Sequence, residues 1–192
     1  VGVNLRDISS ATVRISRQVS GLCGSVSELL PEAEAFESTL IAAPPGAGKT
    51  TLLREMAAAL SNGSETRPAL RVGIVDERGE LAGMYRGVPQ LDVGFHTDVL
   101  DGCPKALGIP MLVRSANPQV IVVDEITAEE DLRAMTAAAN CGVALLATIH
   151  ALDGEELRRK PLFPMLEAAQ VFRHLVTISV EAGVRRYRVQ NL

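Results

Sequence analysis

Hydrophobic side chains in this chain come in short, dense runs that stop abruptly at polar or glycine-rich clusters. Thr39 to Ala43, Arg71 to Val75, Val120 to Val123 and Val143 to Thr148 are too apolar to leave one face in water. They predict strands buried on both faces of a sheet. Helical spacing separates them. Thr50 to Leu60 puts Leu52, Leu53, Met56, Ala57 and Leu60 on one side and Arg54 and Glu55 on the other, and Ser61-Asn62-Gly63 marks its end. Pro104 to Ser115 predicts a helix interrupted near Pro110, Ala128 to Asn140 a helix with an alanine-rich face, and residues 165 to 173 a further helix. Leu175 to Val180 and Val184 to Val189, joined through Ala182-Gly183, predict a closing hairpin. Nearer the start, residues 11 to 17 alternate Val13 and Ile15 against Arg14 and Ser16, a strand with one wet face. A turn-rich stretch follows, with a short helix expected around Leu29 and Leu30. Strands alternating with helices imply an α/β fold with a mostly parallel central sheet, helices on both faces and an antiparallel edge hairpin. Between Gly79 and Gly94, four glycines and Pro89 break all periodicity over a length unusual in a compact domain, which points to a functional or mobile segment.

Composition narrows the function classes. At 192 residues the chain is the size of one α/β domain with a small appendage. We expect residues 38–192 to form that domain and residues 1–37 to be a strand and linker left from a missing N-terminal part, since Val1 is not an initiator Met. Cys23, Cys103 and Cys141 are odd in number and widely spaced, which suggests neither a disulfide framework nor a zinc site and fits a reducing, cytosolic setting. A net charge of -4 and an aromatic content of 3% argue against a nucleic-acid partner. The most apolar stretch, Met135 to Leu152, is broken by Asn140, Gly142 and His150 and does not read as a membrane span, so any membrane is reached through a partner.

Chemistry concentrates in Leu40 to Leu53, LIAAPPGAGKTTLL. An apolar strand, a Pro- and Gly-rich turn and a helix opening on Lys49-Thr50-Thr51 are the order a phosphate cradle requires. Backbone N–H groups of Gly46 to Thr50 can turn onto the phosphates of a nucleotide, Gly46 and Gly48 having no Cβ to obstruct them, and the nucleotide-binding loop is expected to span Pro45, Gly46, Ala47, Gly48, Lys49, Thr50 and Thr51. Lys49 would reach the β/γ-phosphates and Thr50 would hold Mg2+. Ala43 stands where the usual pattern G-x-x-x-x-G-K-[ST] has its first glycine, which is tolerable if that residue keeps a negative φ. The chain has 16 Arg and only Lys49, Lys105 and Lys160 as lysines, so a Lys at this position stands out. Asp124, at the tip of an apolar strand, is placed to order Mg2+, and Glu125 to polarise a water. Thr148 and His150 end the strand expected beside it, within reach of a γ-phosphate. Asp76, Glu77 and Glu80 close another buried strand at the edge where open α/β sheets bind ligands; a solvated acidic turn is the alternative. Arg78, Arg86 and Arg114 lie around this edge as candidate arginine fingers, and the residues themselves do not choose among them.

The strings APPGAGKTT, VGIVDERGELAG, TDVLDGCPKA, VRSANPQVIVVDEI and ATIHA, in this order, resemble the stage III sporulation protein AA family of endospore-forming bacteria. That family is similar to the ATPases of type II and type IV secretion systems, hexameric motors with a RecA-like core. The resemblance implies a RecA-like P-loop NTPase that hydrolyses ATP with Mg2+. It also implies a homo-hexameric ring with membrane-protein partners of a channel complex, peripheral to the inner membrane on the mother-cell side of the forespore. Carried over, Lys49 and Thr50 belong to the Walker A loop and Asp124 and Glu125 to Walker B. Asp76-Glu77 with Glu80 resembles the secretion-ATPase acidic box, and Thr148-Ile149-His150 its Thr-Leu-His box. The expected site is then Glu125, Lys49, Thr148, His150 and Arg114 for catalysis, the loop with Asp76, Glu77 and Glu80 for the nucleotide, and Thr50 and Asp124 for the metal. Secretion ATPases commonly have Gly-Glu where this chain has Asp124-Glu125. The rival expectations are a nucleic-acid-dependent RecA-like ATPase and a non-hydrolysing nucleotide-binding scaffold.

Overall fold

The structure is a computed structural model, and it describes residues 10, 29–30, 35–181 and 183–192. The strand expected over residues 11 to 17 lies outside them. In chain order the elements are β1 (Thr39–Ala43), α1 (Lys49–Asn62), β2 (Val72–Asp76), β3 (Thr97–Asp101), α2 (Lys105–Ser115) and β4 (Val120–Val123). There follow α3 (Glu129–Asn140), β5 (Ala144–His150), α4 (Gly154–Arg159), α5 (Phe163–Ala169), β6 (His174–Glu181) and β7 (Val184–Asn191). The seven strands form one sheet in the order β3-β2-β4-β5-β1-β6-β7. Every neighbouring pair is parallel except the β6–β7 hairpin, so the expected fold class is the one observed.

The period of two along each strand divides its side chains between two cores. Ile41, Ala43, Val72, Ile74, Val120, Val122 and Leu146 meet Leu52, Leu53, Met56 and Leu60 of α1 on one face. Leu40, Ala42, Val75, Ile121, Val123 and Leu145 meet Ile109 of α2, Leu132 and Met135 of α3, Leu157 of α4 and Leu166 of α5 on the other. Leu52, Leu53, Met56 and Leu60 are wholly buried, and each such burial contributes about 1.5–3 kcal/mol relative to exposure. That contribution, more than helix propensity, is what holds α1 against the sheet directly behind the phosphate loop.

Three elements depart from the pattern reading. β3 was not expected, because as an edge strand it carries only Val99 and Leu100 between polar neighbours and shows no period. The helix expected over residues 165 to 173 is instead α5, which stops at Ala169, and the unexpected α4 is capped by Asp153, whose carboxylate accepts the backbone N–H of Glu156 at 2.8 Å. α2 also runs through Pro110 without a break. The glycine-rich stretch between β2 and β3 is anchored by Leu81, Ala82 and Val93, all buried in the core beside α1, and carries a tight turn at Tyr85–Val88.

Because β1, β2, β4 and β5 are parallel, their C-terminal ends share one edge of the sheet. Ala43, Asp76, the residues after Val123, and His150 therefore all emerge there, and the phosphate-loop candidate lies at that edge.

Candidate active site at the sheet edge

The loop after β1 turns through Gly46 (φ 77) and Gly48 (φ 103), left-handed conformations that favour glycine, while Ala43 stays in β1 opposite His150 and is not among the positive-φ residues. The Ala47 N–H closes the turn on the Pro44 carbonyl at 3.3 Å, and Pro45 and Gly46 form its exposed crown. α1 starts at Lys49 with no side chain capping its first turn and no acid within it. Its partial positive charge and its first N–H groups, with Thr50 and Thr51 among them, are thus left for an anion. A Cβ on Gly46 would meet nothing within 4 Å, so space remains above the loop. These features fit a polyphosphate.

Lys49 is buried, and its ammonium donates to the Ala43 carbonyl at 2.8 Å, the Pro44 carbonyl at 3.1 Å and His150 Nδ1 at 2.8 Å. Three protons thereby meet three acceptors. Burial lowers the pKa of Lys49, and the nearby Asp124 and Glu125 carboxylates oppose that shift. Since the ammonium can only donate, His150 Nδ1 accepts, and its Nε2 carries the proton that faces Glu125 Oε1 at 3.2 Å.

Asp124 gathers the hydroxyls. Its Oδ2 accepts from Thr50 Oγ1 at 3.2 Å and its Oδ1 from Thr148 Oγ1 at 2.8 Å. Thr148, wholly buried in β5, also accepts the Glu125 N–H at 2.9 Å, and that N–H lies 3.0 Å from Asp124 Oδ1. Thr50 and Asp124 are oxygen ligands of the type Mg2+ takes, two from the protein with the rest left to water and phosphate. Glu125 adopts a φ of 38, rare for a residue with a side chain. Its carboxylate is gripped from both sides, by His150 and by Arg78 Nη1 at 3.2 Å.

The structure brings Lys49, Thr50, Asp124, Glu125, Thr148 and His150 into one network, places Asp76, Glu77 and Glu80 beside it and leaves Arg114 away from it. Asp76 is buried, and its two oxygens accept the backbone N–H groups of Glu80, Leu81 and Ala82 at 2.9, 3.0 and 2.8 Å. Glu77 pairs with the buried Lys105 of α2. The Glu80 carbonyl accepts from Arg54 Nη2 at 2.8 Å, and the Leu81 carbonyl from Arg54 Nε at 2.6 Å. Arg54 itself is buried in α1; burial lowers its pKa, against the pull of Asp76, Asp124 and Glu55. Arg114 is exposed on the last turn of α2, whose chain runs on into the start of β4, so it lies at the opposite edge of the sheet from the loop. Its Nε donates to the Pro110 carbonyl at 3.1 Å. Arg86 stacks its guanidinium over Tyr85, 5.3 Å from the ring centre, in the tight turn.

Sequence reasoning passed over Arg185. It comes from β7, and its Nε donates to the Ala47 carbonyl at 2.9 Å. The signal was present in Val184-Arg185-Arg186-Tyr187-Arg188, where alternation sets Arg185 on the same strand face as the half-buried Tyr187 and away from Arg186 and Arg188.

The family model for sporulation stage III, protein AA, matches residues 2–189. Stage III sporulation protein AA of Bacillus subtilis (strain 168) is 40% identical over 179 residues, which cover 93% of this chain and 58% of that protein. The chain therefore spans less than two thirds of that relative's length. Among solved structures, the Legionella pneumophila ATPase DotB superposes with a TM-score of 0.60 at 18% identity, over 86% of this chain and 47% of that one. The pilus retraction motor PilT, solved with bound ADP, does so with a TM-score of 0.59 at 16% identity, over 81% of this chain and 47% of that one. The likeness to both is one of fold. No helix among the described residues is long and apolar enough to cross a membrane.

Proposed function

The chain belongs to the sporulation stage III protein AA family, and on that premise we propose that it binds ATP with Mg2+ and hydrolyses it as a motor domain. The observation that carries the reading is the network joining the loop to two strand tips: Thr50 to Asp124, Asp124 to Thr148, and Lys49 through His150 to Glu125. On this reading the network supports a phosphate-binding lysine, a metal-binding pair and a carboxylate base around one point at the start of α1. Lys49 and the first N–H groups of α1 hold the phosphates, and Thr50 with Asp124 hold the metal. Mg2+ held there would supply charge neutralisation at the phosphates. Glu125 orients a water and accepts its proton, aided by the His150 and Arg78 contacts that already aim its carboxylate. His150, linked to both Lys49 and Glu125, passes a change at the phosphate to the base, which makes it and Thr148 the sensors of the terminal phosphate.

The same reading places the domain in a homo-hexameric ring, docked through membrane-protein partners on a secretion-like channel at the mother-cell side of the forespore membrane. There hydrolysis drives transport or assembly. An arginine of a neighbouring subunit completes the site, and Arg114, remote from its own loop, is the candidate. The family and the fold shared with DotB and PilT support this reading.

The test is phosphate release from ATP per protomer over a wide range of protein concentration, with Glu125→Gln as control. A rate that climbs with concentration and collapses in the variant is the expected result. A flat rate equal to that of the variant at every concentration would sink the motor reading and leave a nucleotide-binding scaffold.

A further inference from the structure

Arg185 is the one arginine among the described residues whose guanidinium bonds to loop 44–48, and the proposed chemistry leaves it unused. It stands on β7, opposite Val180 in the hairpin. Tyr187, two residues on and so on the same strand face, packs against the core beside α1. That packing holds the strand at a fixed height over the helix start. The Arg185 Nε bond to the Ala47 carbonyl uses one of five guanidinium N–H donors, and the other four make no hydrogen bond among the described residues. The group lies close over the loop: a Cβ built on Gly48 would come 3.1 Å from Nε and 3.7 Å from Nη2.

The rest of the site has a direction. Asp124, Glu125, Thr148 and His150 all stand on the β4–β5 side of β1, so the metal and the reacting terminal phosphate belong there. A triphosphate bound along the loop then extends the other way, past the N–H groups of Thr50 and Thr51, toward the β6–β7 side. Arg185 is the cation at that end, with two amino groups that make no hydrogen bond among the described residues and its Nε anchored on Ala47.

We propose that Arg185 is a nucleotide-binding residue that holds the α-phosphate, the phosphate nearest the nucleoside, from within the same chain. This rests on the nucleotide-binding reading above. It gives the site a charged contact that a nucleoside di- or triphosphate can make and a pyrophosphate seated at Lys49 and Thr50 does not need. It also gives Gly48 a second reason to be glycine besides its φ of 103, because a larger residue would displace the guanidinium.

The experiment is calorimetric titration of ADP and of pyrophosphate, each with Mg2+, into the wild-type chain, Arg185→Gln, Arg185→Lys and Lys49→Ala. A charge-assisted hydrogen bond is worth about 1.5–3 kcal/mol, which corresponds to roughly a 10- to 150-fold weakening of ADP binding in Arg185→Gln. Pyrophosphate binding should stay within about twofold, and Arg185→Lys, which keeps the charge but not the fork, should recover part of the ADP affinity. Equal weakening of both ligands would overturn the proposal, since Arg185 would then only brace the Ala47 carbonyl. An unchanged ADP affinity would overturn it as well. If the wild type bound neither ligand, or Lys49→Ala bound both as tightly as the wild type, the nucleotide reading itself would fail and the role of Arg185 with it. Arg185 is exposed on an edge strand, and matching thermal unfolding of the variants and the wild type checks that each is folded.

Discussion

The tripeptide Val-Asp-Glu occurs twice, as Val75-Asp76-Glu77 at the end of β2 and Val123-Asp124-Glu125 at the end of β4, and the two strands pair with Val75 against Val123. Two acid pairs of identical sequence thus stand side by side on one edge of one sheet. Their surroundings separate them. Asp76 spends both oxygens on three backbone N–H groups and so fastens the turn at residues 80–82, which Arg54 then ties to α1. Asp124 is held by the hydroxyls of Thr50 and Thr148 and by one N–H. Hydroxyls reorient and exchange partners, while backbone amides in a packed turn do not. A carboxylate held by hydroxyls can take up a cation; one saturated by amides is part of the frame. Glu77 is paired with a buried lysine, whereas Glu125 lies between His150 and Arg78.

The comparison is broken most sharply at the glutamates. Glu125→Gln should lower steady-state phosphate release by about 10²- to 10⁴-fold, the usual worth of a positioned general base, and Glu77→Gln should change it only a few-fold. Comparable losses in both would mean that the two acids share the work. At the aspartates the contrast is in stability. Asp76→Ala strands two buried amides and a half-buried one and should lower the free energy of unfolding by about 3 kcal/mol or more in a urea titration. Asp124→Ala should cost less than about half of that, because the Glu125 N–H keeps its bond to Thr148. Reversal of that order would place the frame at β4. Metal dependence sharpens the same pair: Asp124→Asn should weaken Mg2+-supported ATP binding about 10-fold, equivalent to about 1.4 kcal/mol, while Asp76→Asn leaves the Mg2+ dependence of binding as it is. Thr148→Val removes a donor to Asp124 and an acceptor from Glu125, and about 1–2 kcal/mol of stability should go with them; Thr148→Ser should restore most of it.

The smallest effect is one of pH. Burial lowers the Lys49 pKa below its ordinary 10.5, so between the lowered value and 10.5 the unfolded chain binds more protons than the folded one. Lys49 therefore adds an upward slope of stability with pH across that window. Below the window the ammonium is charged in both states, and its desolvation weighs against the fold. Unfolding midpoints of Lys49→Met measured toward pH 10.5 should lack this rise, and a steeper rise than in the wild type would contradict the assignment.

Legibility in the sequence followed the range of the interactions. β1, β4 and α1 were readable because a buried strand needs an unbroken apolar run, and an amphipathic helix needs its period of 3.6. β3 was not, because an edge strand at the rim of the sheet needs only two apolar residues. Pro110 signalled an interruption that packing overrode: Ile109 and Leu112, buried on either side of it, hold α2 in line against the sheet.

By itself the sequence determined that this chain builds a parallel sheet with a phosphate-type loop after its first described strand and acids at two strand tips, since each of these is a local pattern read over a few residues. Only the tertiary structure decided that Asp76 is fastened by backbone amides and Asp124 by hydroxyls, that Lys49 rests on His150, and that Arg185 closes over Ala47. Those contacts join residues 101 and 138 positions apart, and what brings them together is the strand order of the sheet, in which β1 lies between β5 and β6.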